Sequence, residues 1–193
     1  DKMVAAGINT VRTYFAPEKD LLDALAAHGI RVIVGIPNYD DRNSPGPDIV
    51  RGGYKAYISG LKDHPAVLMW EFGNEYNCHP EWFDGDIYNW YSSLEAAAKT
   101  AKDLDKNHPV SSAHGAMPDQ EVLTKCPSVD VWGMNLYVGM DLSADIHTWK
   151  DMSAKPMYIS ETGIDSFDDA KEQENEDAQI SSCLGVFIFL FLC

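Results

Sequence analysis

The run VLMWEFGNE, residues 67–75, reads as a β-strand that ends in chemistry. Val67, Leu68, Met69, Trp70 and Phe72 are the apolar and aromatic residues that strands bury; Asn74 and Glu75 close the run, where it gives way to a polar loop. The run KPMYISETG, residues 155–163, has the same design, with the strand candidate Pro156–Glu161 running into Thr162 and Gly163. Both carboxylates therefore sit at the C-terminal ends of strands, with further strand and helix units between them. Such ends converge on one pocket when the strands are parallel members of a barrel.

Outward from these two runs the elements alternate regularly. Residues 1–6 read as the end of a helix stopped by Gly7. Ile8–Tyr14 is a strand candidate, followed by a helix that Pro17 and Glu18 start and Gly29 ends. Ile30–Pro37 is apolar enough to be buried on both sheet faces. A Pro-, Gly- and Asp-rich loop, 38–48, leads to a helix ending near Asp63; a second loop, 76–86, rich in Asn, His and aromatics, precedes the helix Ile87–Asp105. Pro109–His114 and Val129–Tyr137 are strands, with helices near Asp119–Lys125 and Ala144–Lys150, and Gly185–Leu192 is the last strand. Strands alternating with helices mean parallel βαβ units. We read the chain as an α/β protein, one (β/α)8 TIM-barrel domain spanning 1–193. It is incomplete at both ends, carrying strands two to eight without the first strand and the final helix.

Composition bounds the partners. At 193 residues and 45% hydrophobic, the chain belongs with folded single domains. Its net charge of −15, from 30 acidic and 15 basic residues, repels nucleic-acid phosphates and anionic membranes, so neither is an expected partner. The apolar segment Leu184–Cys193 is about half of what a bilayer-spanning helix needs, and membrane insertion is not expected. Cys78, Cys126, Cys183 and Cys193 show no zinc spacing, and neither metal nor organic cofactor is called for.

The chemistry follows from the carboxylates. Cleaving a glycosidic bond takes an acid to protonate the leaving oxygen and a carboxylate to meet the developing cation; in retaining enzymes the two stand about 5–5.5 Å apart. Glu75 and Glu161 supply such a pair, and the acid partner needs a raised pKa, from partial burial and the negative neighbour. Asn74 offers amide donors to a sugar hydroxyl. Tyr137 and Arg12, at other strand ends, are donors that keep a carboxylate ionised. Simpler readings stand beside these. Arg12 has an alternative partner in Glu71, whose place inside an apolar strand demands one. His114 divides evenly between a polar wall of the site and a satisfied core histidine. Trp82 and Phe83 suit sugar stacking or loop packing; Trp70, Trp132 and Met134 are core candidates; and the acidic tract 165–177 is a solvated surface.

The set TVRTY, HPAVLMWEFGNEYN, VWGMNLY and KPMYISETG resembles the superfamily of retaining (β/α)8 glycoside hydrolases. It is closest to the TIM-barrel domains of family 2 and to fungal β-1,3-glucanosyltransferases. The resemblance implies an acid/base at Glu75, closing strand four, and a nucleophile at Glu161, closing strand seven. It likewise implies substrate-site roles for Arg12 and Tyr137. The implied activity is hydrolysis of β-O-glycosidic bonds by double displacement. The alternatives are transfer to an acceptor sugar, or a carbohydrate-binding pseudoenzyme or inactive fragment. Secretion or a cell-wall setting is the implied location. At the end of the last strand, where relatives carry a tryptophan or an acidic residue, this chain reads FIFLFLC.

Overall fold

A run such as RVIVGI has no polar face to give to water, so both of its faces must be covered. The chain achieves this with a parallel sheet whose outer side is packed by helices. The structure, a computed structural model, describes residues 2–38, 47–139, 141–168 and 171–180. Among them, β1 (Thr10–Arg12), β2 (Arg31–Ile36), β3 (Val67–Asn74), β4 (Val110–Gly115), β5 (Val131–Asn135) and β6 (Met157–Glu161) form one sheet. Each strand pairs in parallel with the next, in sequence order.

Helices fill the crossovers: α2 (Lys19–Ala27), α3 (Tyr54–Leu61), α4 (Ile87–Leu104), α5 (Gln120–Lys125) and α6 (Ser143–Met152), after a short α1 (Lys2–Ala5) that Gly7 ends at φ 77°. This is the strand-and-helix order of a TIM barrel, represented by six consecutive strands. The expected strand at 185–192 and most of the loop 38–48 lie outside the described residues. Within the acidic tract, whose residues are largely exposed, Phe167–Asp168 (β7) pairs antiparallel with Gln173–Glu174 (β8), a pairing that the sequence reading did not contain.

The apolar core lies between sheet and helices. Val32, Val34, Ile36, Trp70, Phe72, Val110, Trp132 and Met134 point outward from the strands and meet Leu22, Ile58, Trp90, Leu94, Ala98 and Trp149 from the helices. The longest helix, α4, shows why the sequence folds this way. Trp90, Tyr91, Leu94, Ala97, Ala98 and Ala101 are its buried residues and recur at helical spacing on one stripe. Asp86 caps its N-terminus, accepting from the Tyr88 N–H at 2.9 Å. Burying each large side chain of that stripe is worth about 1.5–3 kcal/mol. Below α4, buried Asp105 accepts from Trp70 Nε1 at 2.8 Å and pairs with His108 at 2.7 Å, tying the helix end to β3.

Of the three register irregularities in the sheet, one opposes Val32 and Ile33 of β2 to Val67 and Met69 of β3, and the other two set up the interior side. Between β3 and β4, Glu71 faces Ser111 and Asn74 faces Ala113, so β3 carries one extra residue there. Between β5 and β6, Met134 faces Ile159 and Asn135 faces Glu161, so β6 carries one extra. Strict alternation would send Glu71 and Asn74 to opposite faces, and likewise Tyr158 and Glu161. The bulges bring each pair to the same interior face. Gly73, at φ 73°, makes the first one; a Cβ there would stand 2.7 Å from the Trp90 ring.

Candidate active site

Arg12, at the end of β1, organises the interior face. Its guanidinium donates in three directions: Nε to Glu71 Oε1 at 2.7 Å, Nη2 to Asn74 Oδ1 at 2.7 Å and Nη1 to Glu161 Oε1 at 3.1 Å. The sequence posed pairing with Glu71 as an alternative to a site role, and the structure shows both contacts from the same side chain. Tyr158 also donates to Glu71, whose side chain is almost wholly buried.

Glu161 receives two tyrosines besides Arg12. Tyr14 donates to Oε1 at 2.7 Å and Tyr137 to Oε2 at 2.9 Å. Burial works to raise the Glu161 pKa, but the donors Tyr14, Tyr137 and Arg12 and the arginine charge outweigh it, leaving the carboxyl below its ordinary value. The tyrosines respond in the opposite sense: Tyr137 is pushed up to about 12, first by its bond to Glu161 and then by burial. This glutamate is built to stay ionised.

Glu75 follows β3 in a left-handed backbone conformation, φ 54°, which a residue with a side chain adopts only when its surroundings hold it there. The surroundings are specific. Its N–H donates to the Ala113 carbonyl at 3.0 Å, and its own carbonyl accepts from the Cys78 N–H at 2.9 Å. Asn77 then clamps the turn Tyr76–Cys78 to β4: Nδ2 donates to the Gly115 carbonyl at 2.9 Å, and Oδ1 accepts from the Gly115 N–H at 2.8 Å. The Glu75 side chain accepts from Asn135 Nδ2 at 2.8 Å. The same Nδ2 reaches Asn74 Oδ1 at 3.3 Å, and Asn135 Oδ1 accepts from Ser160 at 2.5 Å. Glu75, Asn135, Asn74, Arg12 and Glu161 therefore form one hydrogen-bonded chain across four strands.

A cleft of about 620 Å³ opens beside this chain, lined by Tyr14, Phe15, Pro37, Asn38, Gly73, Asn74, Tyr76, Trp82 and Phe83. It lies within the usual range for small-ligand sites and is largely aromatic. Trp82 is 57% exposed on the turn Pro80–Phe83, with one face stacked on His79 at 3.9 Å, whereas neighbouring Phe83 is buried in the core. Of the two aromatics, then, Phe83 packs the loop and Trp82 faces the opening.

His114 is placed elsewhere. Alternation along β4 turns it to the helix side, where it stacks on Tyr91 and meets the edge of Trp132. Its ring nitrogens lie 3.1 Å from the Tyr91 hydroxyl and 3.1 Å from the Ala116 carbonyl, and burial lowers its pKa. Among the described residues it joins no hydrogen bond of the carboxylate network, and it packs with the aromatics on the helix side of β4. Tyr14, Asn77 and Asn135 were not singled out from the sequence. For Asn135 a signal existed, since it closes the strand VWGMN as Asn74 closes VLMWEFGN.

Among the described residues no cluster of three or more His, Cys, Asp or Glu side chains is arranged to hold a metal ion, and no helix is long and apolar enough to cross a membrane. Lys155, at the opposite end of β6 from Glu161, donates to the carbonyls of Pro127 and Val129 and so braces the start of β5.

This arrangement has relatives. A beta-D-glucuronidase of Dictyoglomus thermophilum superposes with a TM-score of 0.67 at 21% identity, over 99% of this chain and 37% of that one. An active-site mutant of Rhizomucor miehei beta-1,3-glucanosyltransferase, in complex with laminaritriose, superposes with a TM-score of 0.64 at 24% identity, over 92% of this chain and 69% of that one. At these identities the likeness is one of fold. Mannan endo-1,4-beta-mannosidase F of Aspergillus clavatus is 30% identical over 117 residues, covering 50% of this chain and 26% of that protein. The chain thus spans about a quarter of the length of the curated relatives it matches. Residues 52–179 match the family model described as glycosyl hydrolases family 2, TIM barrel domain. That span runs from α3 past β8 and holds Glu75, Asn135 and Glu161, and the chain belongs to the family 2 glycosyl hydrolase TIM-barrel family.

Proposed function

We propose that this chain, as a single TIM-barrel domain over 1–193, carries the machinery of a retaining glycoside hydrolase acting on β-O-glycosidic bonds. The observation that carries the reading is the contrast between the two glutamates. Glu161 is held ionised by three donors, as an attacking carboxylate requires. Glu75 receives only a neutral amide through its side chain, from Asn135, and is free of direct contact with Arg12 among the described hydrogen bonds.

In the first step a Glu161 oxygen attacks the anomeric carbon while Glu75 gives its proton to the leaving glycosidic oxygen, so the C–O bond to the leaving group breaks as the glycosyl ester forms. In the second, Glu75 takes a proton from water, the resulting oxygen attacks the same carbon, and the ester bond returns its electron pair to Glu161. Two inversions leave the anomeric configuration unchanged. An acceptor sugar hydroxyl in place of water gives transfer. The roles proposed for Arg12, Asn74 and Tyr137 are to fix the nucleophile and meet sugar hydroxyls; Trp82 is proposed as an aromatic wall for a sugar ring. A neutral β-linked oligosaccharide is the proposed substrate class, with β-mannan first among candidates because the curated relatives above are named for it. Secretion fits a polymeric substrate.

The test compares wild type with Glu161→Ala and Glu75→Ala, each first shown to be folded, on aryl β-glycosides and on β-mannan oligosaccharides. Glu161→Ala is expected to lose turnover by at least about 10⁴-fold. Glu75→Ala is expected to recover activity with azide and to yield a β-glycosyl azide. An α-configured azide product, or full activity in Glu161→Ala, would end the double-displacement reading. Adding an acceptor sugar separates hydrolysis from transfer by the products.

A further inference from the structure

We propose that Glu71, held by Tyr158, is a positioning residue that acts through Arg12 as a buried counter-charge, fixing the guanidinium and tempering its pull on Glu161. The inference rests on the nucleophile role given to Glu161 above. Its ground is the geometry of a carboxylate 1% exposed in the middle of an otherwise apolar strand. Burying a charge is expensive unless partners satisfy it, and one that persists needs a reason beyond packing. Both Glu71 oxygens are engaged: Oε1 by Arg12 Nε at 2.7 Å and Oε2 by the Tyr158 hydroxyl. Gly133 leaves the space for that tyrosine, since a Cβ there would lie 2.7 Å from its ring. The far edge of the same guanidinium then holds Glu161 and Asn74.

The groups that act on Glu161 come from several elements around it. Arg12 approaches from the end of β1 and Tyr14 from just beyond it, Glu71 acts from β3, and Tyr137 reaches in from beyond β5. Arg12 alone would bind the Glu161 charge tightly and blunt it as a nucleophile. With Glu71 ionised on the opposite edge, the guanidinium is shared between two carboxylates. Burial raises the Glu71 pKa against the pull of Arg12 and Tyr158, so Glu71 takes up a proton at milder pH than an exposed glutamate.

Glu71→Gln keeps an acceptor for Arg12 and removes the charge. Both the repulsion of Glu161 by Glu71 and the competition for Arg12 disappear, so the Glu161 titration moves to lower pH. Two readouts follow in the full chain: the pH profile of kcat/KM on the best aryl glycoside, and the ¹³C titration of the Glu161 carboxyl, assigned by its absence in Glu161→Gln. The expectation for Glu71→Gln is an acid limb and a ¹³C midpoint at lower pH, with kcat down about ten- to a hundred-fold and KM little changed. Tyr158→Phe keeps the ring and removes the hydroxyl that helps hold Glu71 ionised, so Glu71 takes up its proton more readily and both readouts move in the same direction by less; it decides the matter should Glu71→Gln not fold. Variants that lose thermal stability while the Glu161 midpoint stays in place would reduce Glu71 to a structural residue and overturn the proposal. If wild type turns over none of the glycosides, the functional reading fails, while the ¹³C titration still judges the coupling.

Discussion

At the scale of single residues, Glu161 shows how a carboxylate is tuned by donors rather than by distance from water. Burial alone would raise its pKa; two phenols and one guanidinium reverse the sign. The consequence for stability can be worked through. Glu161 is an acid whose folded-state value lies below its ordinary one, so it stabilises the fold above the ordinary carboxylate range. That contribution disappears as pH falls through the depressed value. Tyr137→Phe removes one of the lowering donors, so the folded-state value rises toward the ordinary one, the contribution shrinks and its loss is complete at a higher pH. The acid limb of kcat/KM is expected to move the same way, upward in pH, opposite to Glu71→Gln. Acid unfolding followed by circular dichroism, beside the rate profile, checks both signs. Unchanged profiles in Tyr137→Phe would show that the Tyr137 bond does not govern the charge. Tyr14→Phe is expected to behave likewise.

At the scale of elements, what matters is two of the added residues, one near the end of β3 and one in β6. They break the two-residue period of a strand at the points where Glu71 and Asn74, and then Tyr158 and Glu161, must face the same way. Gly73 permits the first of these breaks. With φ at 73° and Trp90 where its Cβ would go, Gly73→Ala is expected to cost at least about 2 kcal/mol of stability. Because Asn74 and Glu75 hang on that backbone, activity should fall further than the folded fraction does. Urea unfolding with parallel rate measurements separates the two losses. The sequence showed Gly73 inside the run, yet its meaning was not legible there. A glycine inside a strand signals a bulge or a close approach, and only the register with β4 distinguishes them. Arg12, Asn74, Glu75, Tyr137 and Glu161 were legible as strand-end residues, and the structure brings them into one network. Asn77 was not, because a side chain that clamps a neighbouring loop carries no local mark. His114 was ambiguous for a related reason: a strand-end residue points to the cleft or to the helices according to its register.

At the scale of the whole molecule, the sheet separates two chemistries. Its outer face is apolar and covered by helices, and its inner face carries Arg12, Glu71, Asn74, Asn135, Tyr158 and Ser160 in linked hydrogen bonds. The net charge of −15 surrounds this arrangement with a repulsive field for anions. A neutral substrate should not feel it. Between low and physiological ionic strength, kcat/KM on a neutral β-glycoside is expected to change by less than about twofold, since screening acts on charge–charge encounters. Initial rates at the two salt concentrations measure this directly. A steep fall with salt would mean that attraction between charges drives binding, and that the neutral-substrate reading is mistaken.

The sequence by itself determined the alternation of strands and helices, the apolar stripes that cover one side of the sheet, and the two strand ends that carry Glu75 and Glu161. Those are local properties, written in periodicity and in the residues where a strand gives way to a loop. The tertiary structure alone decided which strand-end side chains meet and with what charge. It turned His114 toward the helices, joined Arg12 to Glu71 and Glu161 at once, and added Tyr14 and Asn135 to the network. The physical reason is that a hydrogen bond between strands depends on register, and register shifts by one residue wherever a bulge intervenes.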